Sequence, residues 1–193
     1  MDKTANPAPL GLTAFGMTTV LLNLHNAGFF PISAMILAMG FFYGGMAQIV
    51  AGILEYRRAN TFAVTAFISY GFFWLTLVAL IVAPKLGWAE ATPSAYMGWH
   101  LFLWGLFTFA MYLGTLRGNR ALQVVFASLF VLFFLLAARD WTGSALIGQI
   151  AGWEGIGCGL SAMYLAAAEI LNEKFERTVL PIGEPTKAAA ARA

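Results

Sequence analysis

A bilayer core needs about 20 apolar residues per helical crossing, and six apolar stretches of about that length fill most of this chain: 10–25, 32–56, 62–83, 95–116, 121–138 and 145–171. Lipid cannot satisfy exposed backbone groups, so each stretch is expected to be a helix; none shows the period-two alternation of a barrel strand. The second and sixth exceed a straight crossing, which predicts tilting, kinking or projection beyond the bilayer, with their glycines as places for a break. Composition agrees: 60% of the residues are hydrophobic and 10% charged, against roughly 25% charged in an ordinary soluble domain. The predicted fold is an all-α integral membrane protein with a six-helix bundle over residues 10–172. A short segment, 1–9, precedes it, and a Pro-, Gly- and Ala-rich tail with little structure of its own, 173–193, follows. The amino terminus has no basic run or small-residue cleavage site, so a removed leader is not expected.

Orientation follows from the basic residues. Lys3, Arg57, Arg58, Arg117, Arg120, Lys174, Arg177, Lys187 and Arg192 fall on one side, Lys85 and Arg139 on the other, nine against two. Both termini are therefore expected in the cytoplasm. Trp88, Trp99 and Trp141 sit at helix ends on the opposite side, where an indole rests at the interface with its N–H in water.

Little in the sequence suggests catalysis. His25 and His100 lie near helix ends, and no metalloprotease, hydrolase or Cys/His metal spacing occurs. Cys158 is the single cysteine, which excludes an internal disulfide and a cysteine-rich metal site. No enzyme activity, cofactor, metal or nucleic-acid partner is expected. The polar residues within the apolar stretches are mostly uncharged: Thr18, Thr19, Asn23, Gln48, Ser69, Tyr70, Thr76, Gln123 and Ser128. Such residues either bond between helices or line a path for a small hydrogen-bonding solute. Glu55 and Glu169 are placed near the cytoplasmic interface and Glu154 at membrane depth. Gly40 and Gly44, and Gly148, Gly152, Gly155, Gly157 and Gly159, allow close helix approach within or between protomers.

The run Asn6-Pro7-Ala8-Pro9-Leu10-Gly11-Leu12 reads as a capped helix start, because Asn6 can accept from free N–H groups and Pro7 fits a first turn. Its positive end would also attract a carboxylate. The run is similar to the opening signature of the acetate uptake transporter family. Further stretches resemble that family in order along the chain: Leu21-Leu22-Asn23-Leu24-His25-Asn26, Ala38-Met39-Gly40, Phe42-Tyr43-Gly44-Gly45, Leu54-Glu55-Tyr56, Asn60-Thr61-Phe62, Ser69-Tyr70-Gly71 and Thr178-Val179-Leu180-Pro181-Ile182-Gly183-Glu184. Ala59 departs from the pattern, where glycine is usual, and so does Glu154, where the family is apolar.

The resemblance implies a homohexamer in the inner membrane, one pore per protomer, and a constriction at Phe15, Tyr70 and Leu129. It assigns chain-length selectivity to Leu129 and Ala162, whose identities suit a protein handling succinate as well as acetate. Asn6, Thr18 and Gln48 are further candidates to line the path, Thr18 because it lies one turn from Phe15 on the same face. The expected partners are acetate, succinate, protons and the lipid bilayer. Acetate is anionic at neutral pH, and an inside-negative potential of about 100 mV opposes its entry by about 2.3 kcal/mol. The expected function is uptake with a proton; a passive carboxylate anion channel with the same pore is the alternative.

Overall fold

The structure is a computed structural model and describes residues 4–183. Its described residues form seven α-helices and one π-helical segment: α1 (Ala8–Asn26), α2 (Ala34–Ala38), the π segment (Met39–Ala47), α3 (Gln48–Tyr56), α4 (Thr61–Lys85), α5 (Ser94–Thr115), α6 (Arg120–Thr142) and α7 (Ala145–Phe175). From Ala34 to Tyr56 the helix is continuous, so the glycines of the second apolar stretch widen a turn rather than break it. Among the described residues, four helices are long and apolar enough to cross a membrane by length and composition: Ala34–Tyr56, Thr61–Lys85, Arg120–Thr142 and Ala145–Phe175.

Helix starts are fixed by side chains that accept from otherwise free N–H groups. Asn60 accepts from Ala63 at 3.2 Å, Asn119 from Leu122 at 2.8 Å and Ser144 from Ile147 at 3.4 Å. Left-handed residues close two helices, Gly143 after α6 and Glu176 after α7. The loop between α3 and α4 also turns through a left-handed residue, Ala59, at φ 54°, a conformation that favours glycine.

The helices enclose an apolar interior. α1 packs on α7, α7 on α6, α6 on α5, and the α2–π–α3 rod bridges α1 and α4. The tightest approach is glycine on glycine: a Cβ at Gly16 would meet the Gly159 carbonyl oxygen at 2.7 Å, and one at Gly159 the Gly16 oxygen at 2.7 Å. Gly152 lies against the backbone of Ala27, and Gly155 against the Asn23 amide. These glycines thus serve packing inside the chain, whereas Gly157 faces open space.

At one end of the bundle Trp99 and Trp141 rings pack 5.0 Å apart, and the Trp141 N–H donates to the Ala95 carbonyl at 3.2 Å. At the other end lie Arg57, Arg58, Arg117 and Arg120. The terminal segment departs from its expected lack of structure. Arg120 and Ala121 N–H donate to the Gly183 and Ile182 carbonyls, each at 3.0 Å, so the segment caps the start of α6. Asn172 accepts from the Val179 and Leu180 N–H groups and donates to the Leu180 carbonyl, while the Tyr164 hydroxyl donates to Pro181. The physical reason is local: Asn172 supplies both acceptor and donor to an irregular segment that proline keeps out of a helix. The remainder of the expected tail, 184–193, lies outside the described residues.

Candidate functional site

Two cavities adjoin inside the bundle, of about 140 Å³ on the arginine side and about 30 Å³ on the tryptophan side. The lining of the larger includes Leu12, Gln48, Asn60, Phe67, Phe126 and Glu169; that of the smaller includes Thr19, Asn23, Phe73, Trp74, Leu132 and Phe133. Among the described residues, only Phe15, Tyr70 and Leu129 line both. They come from α1, α4 and α6, all three are buried, and the Phe15 and Tyr70 ring centroids are 6.2 Å apart.

Tyr70 is held rigidly. Its hydroxyl donates to the Thr108 Oγ1 at 3.0 Å, and Thr108 donates onward to the Trp104 carbonyl at 2.7 Å. Its ring meets those of Trp104, Phe107 and Phe126 at centroid distances of 6.0, 5.6 and 6.1 Å. The hydroxyl is thus committed to α5, and the ring is the part of Tyr70 that can meet a passing solute.

Gln48 lines the larger cavity and donates to the Gly44 carbonyl at 2.6 Å. Asn6 stands at the arginine-side mouth: its amide donates to Glu169 Oε2 at 2.9 Å, and its oxygen accepts from the Ala8 N–H at 3.2 Å and from the Arg58 guanidinium. Arg58 in turn lies 4.0 Å from Glu55, which accepts from Asn60 at 3.1 Å. The amino-terminal motif therefore ties α1, α3, α4 and α7 together beside the cavity. Ala162 is fully buried on α7 and is not among the residues lining either cavity.

Thr18 differs from its expected place. It too is absent from both linings; its hydroxyl points to the Met39 carbonyl at 3.4 Å and its methyl group supports Gly44. One residue further along, Thr19 faces the smaller cavity, and its buried hydroxyl has no hydrogen-bond partner. Trp74 lines the same cavity, and its indole N–H is likewise buried and unpartnered. A buried donor without an acceptor costs about 1–3 kcal/mol, so both groups are open to an oxygen acceptor entering that space. Trp74 carried a signal in the sequence: it sits mid-helix, away from the interfacial positions tryptophan favours. Glu154 also holds a buried carboxylate oxygen without a partner, outside both linings. Among the described residues no cluster of metal-ligating side chains occurs.

Residues 1–183 match the profile of the GPR1/FUN34/yaaH family. The chain is 62% identical to the succinate-acetate/proton symporter SatP of Escherichia coli (strain K12), over 94% of this chain and 97% of that one. It is 33% identical to acetate permease A of Emericella nidulans, over 93% of this chain and 66% of that one. Among solved structures it resembles that of the bacterial acetate channel SatP, with a TM-score of 0.93 and 61% identity, covering 94% of this chain and all of the other.

Proposed function

The chain belongs to the GPR1/FUN34/yaaH family, and on that premise we propose that it carries acetate, and also succinate or other short carboxylates, across the inner membrane with a proton. The observation that carries this reading is the apolar neck: Phe15, Tyr70 and Leu129 are the residues shared by two adjoining cavities. Two aromatic faces and one aliphatic group admit a short acyl chain and resist a continuous file of water. The E. coli relative's name describes a symporter of succinate, acetate and protons, and the solved relative is described as an acetate channel.

In this reading six helical crossings, the α2–π–α3 rod counting as one, place both termini in the cytoplasm. The arginine-rich end faces the cytoplasm, as the charge asymmetry requires. Six copies assemble, each with its own path. Leu129 sets the width of the neck, and Ala162 tunes it from behind through the packing of α7. On the outer side Thr19 and Trp74 offer donors to the carboxylate before the acyl group enters the neck. The path has no Lys or Arg among its lining residues, so a bare anion finds no fixed counter-charge there. Passage as the protonated acid avoids that desolvation and removes the opposing membrane potential. No catalytic step is required.

A passive anion channel would use the same neck as a size filter. The two readings separate in proteoliposomes given labelled acetate, with pH and voltage gradients imposed independently. Proton-linked passage predicts uptake that follows an acidic exterior and ignores the potential. Uptake that follows the potential and ignores the pH gradient identifies the channel.

A further inference from the structure

We propose that Glu169 makes passage proton-linked: ionised, it bars a bare carboxylate from the larger cavity and accepts the proton of a carboxylic acid arriving through the neck. This rests on the proton-linked reading above and names the residue responsible.

The cavity lining contains one carboxyl group, that of Glu169, and its other titratable side chain, Tyr70, has its hydroxyl committed to Thr108. Gln48 and Asn60, the lining amides, do not titrate. Asn6 donates to Oε2 of Glu169 at 2.9 Å, which fixes the carboxyl group at the mouth. The charged groups facing it are Glu55 near the end of α3, Arg58 in the loop that follows, and Glu173 from its own helix. Arg58 lies 4.0 Å from Glu55 and also donates to Asn6. Its charge is balanced by Glu55, and Glu173 adds a charge of the same sign as Glu169. A second carboxylate entering this space meets uncompensated repulsion, strengthened by the apolar walls. A neutral acid meets none.

The proton step balances within the site. The O–H bond of the incoming acid breaks, an O–H bond forms on the Glu169 carboxylate, and the substrate becomes its carboxylate. The two are the same functional group, so the exchange is of one carboxyl proton for another. Glu169 then returns the proton to water at the arginine-side mouth, and the carboxylate leaves by the same opening.

The test is Glu169→Gln in proteoliposomes, with Glu169→Asp beside it. Glutamine keeps an acceptor for Asn6 but neither ionises nor takes the proton. Acetate flux is measured at equal pH under an imposed potential, and acetate–acetate exchange is measured without one. Wild type and Glu169→Asp are expected to be indifferent to the potential. Glu169→Gln is expected to slow exchange, because the incoming acid loses its proton acceptor, and to acquire a flux that follows the potential, at least tenfold above wild type. The inference is overturned if Glu169→Gln stays indifferent to the potential while exchanging normally, or if it loses exchange and flux altogether, which makes Glu169 a support for Asn6. A wild-type flux that itself follows the potential refutes the proton-linked reading instead.

Discussion

Tyr70 allows the ring and the hydroxyl to be tested separately. Tyr70→Phe removes one buried hydrogen bond, to Thr108, which still donates to Trp104; the expected loss is about 1 kcal/mol of stability. The ring stays, so the neck keeps its width, and acetate flux should remain within about twofold of wild type on that reasoning. Tyr70→Ala removes the ring and its four aromatic neighbours' contacts, to Phe15, Trp104, Phe107 and Phe126. Truncation of a buried aromatic costs about 3–5 kcal/mol, and it merges the two cavities at the point they share. Butyrate carries two more methylene groups than acetate. At about 0.8 kcal/mol each on leaving water, these shift selectivity toward butyrate by up to roughly fifteenfold once the neck no longer excludes them. The assay is competitive uptake of labelled acetate and butyrate into proteoliposomes, with thermal unfolding in detergent as the stability control. A changed butyrate-to-acetate ratio in Tyr70→Phe, or an unchanged one in folded Tyr70→Ala, refutes the idea that this ring is a wall of the neck.

Other substitutions test the surrounding fold. Ala59→Gly should stabilise the protein by about 0.5–1 kcal/mol, the left-handed penalty of alanine less the chain entropy of glycine, read as a higher unfolding temperature. Asn172→Ala removes three hydrogen bonds to the terminal segment, at about 1 kcal/mol each, and trypsin should then cut after Arg177 faster than in wild type. Gly16→Ala drives a methyl group into the Gly159 carbonyl oxygen, which should cost about 3 kcal/mol or more because both sides are backbone. Gly157→Ala meets nothing within 4 Å and lies inside α7, so it should raise the unfolding temperature slightly, through about 0.5–1 kcal/mol of helix propensity.

Much of the helical layout was legible because lipid imposes so few solutions. The apolar stretches fall almost wholly within helices, and the boundaries miss mainly where polar residues continue a helix. α6 runs on through Arg139 and Asp140 to Thr142, and α7 runs past residue 171 to Phe175. The convergence of residues 15, 70 and 129 was carried by family resemblance, since spacing on three separate helices cannot show which faces meet. Thr18 and Thr19 show the limit of a helical-wheel argument. Thr18 shares a face with Phe15 by spacing, yet that face is divided between the neck and the π segment, and it is Thr19 that reaches a cavity. Glu169 read as interfacial, because a sequence gives depth along a helix but not the direction in which a carboxyl group points. The docked terminal segment was hidden by its prolines, whose missing donors say nothing about the carbonyls that Ile182 and Gly183 offer to α6.

The π segment sets the angular register of everything beyond it. A wider turn carries one residue more than an α-helix needs, and each residue advances an α-helix by about 100°. Gln48 follows directly on this segment, and Glu55 and Arg58 come a few residues later. Their bearing toward the cavity and its mouth therefore depends on a surplus residue between positions 39 and 47. Loss of one residue there would preserve length and hydropathy almost unchanged while turning the amide away from the cavity and breaking the link from Arg58 to Asn6. In this chain a frame of the helix, rather than the identity of any single side chain, decides whether the arginine-side mouth is assembled.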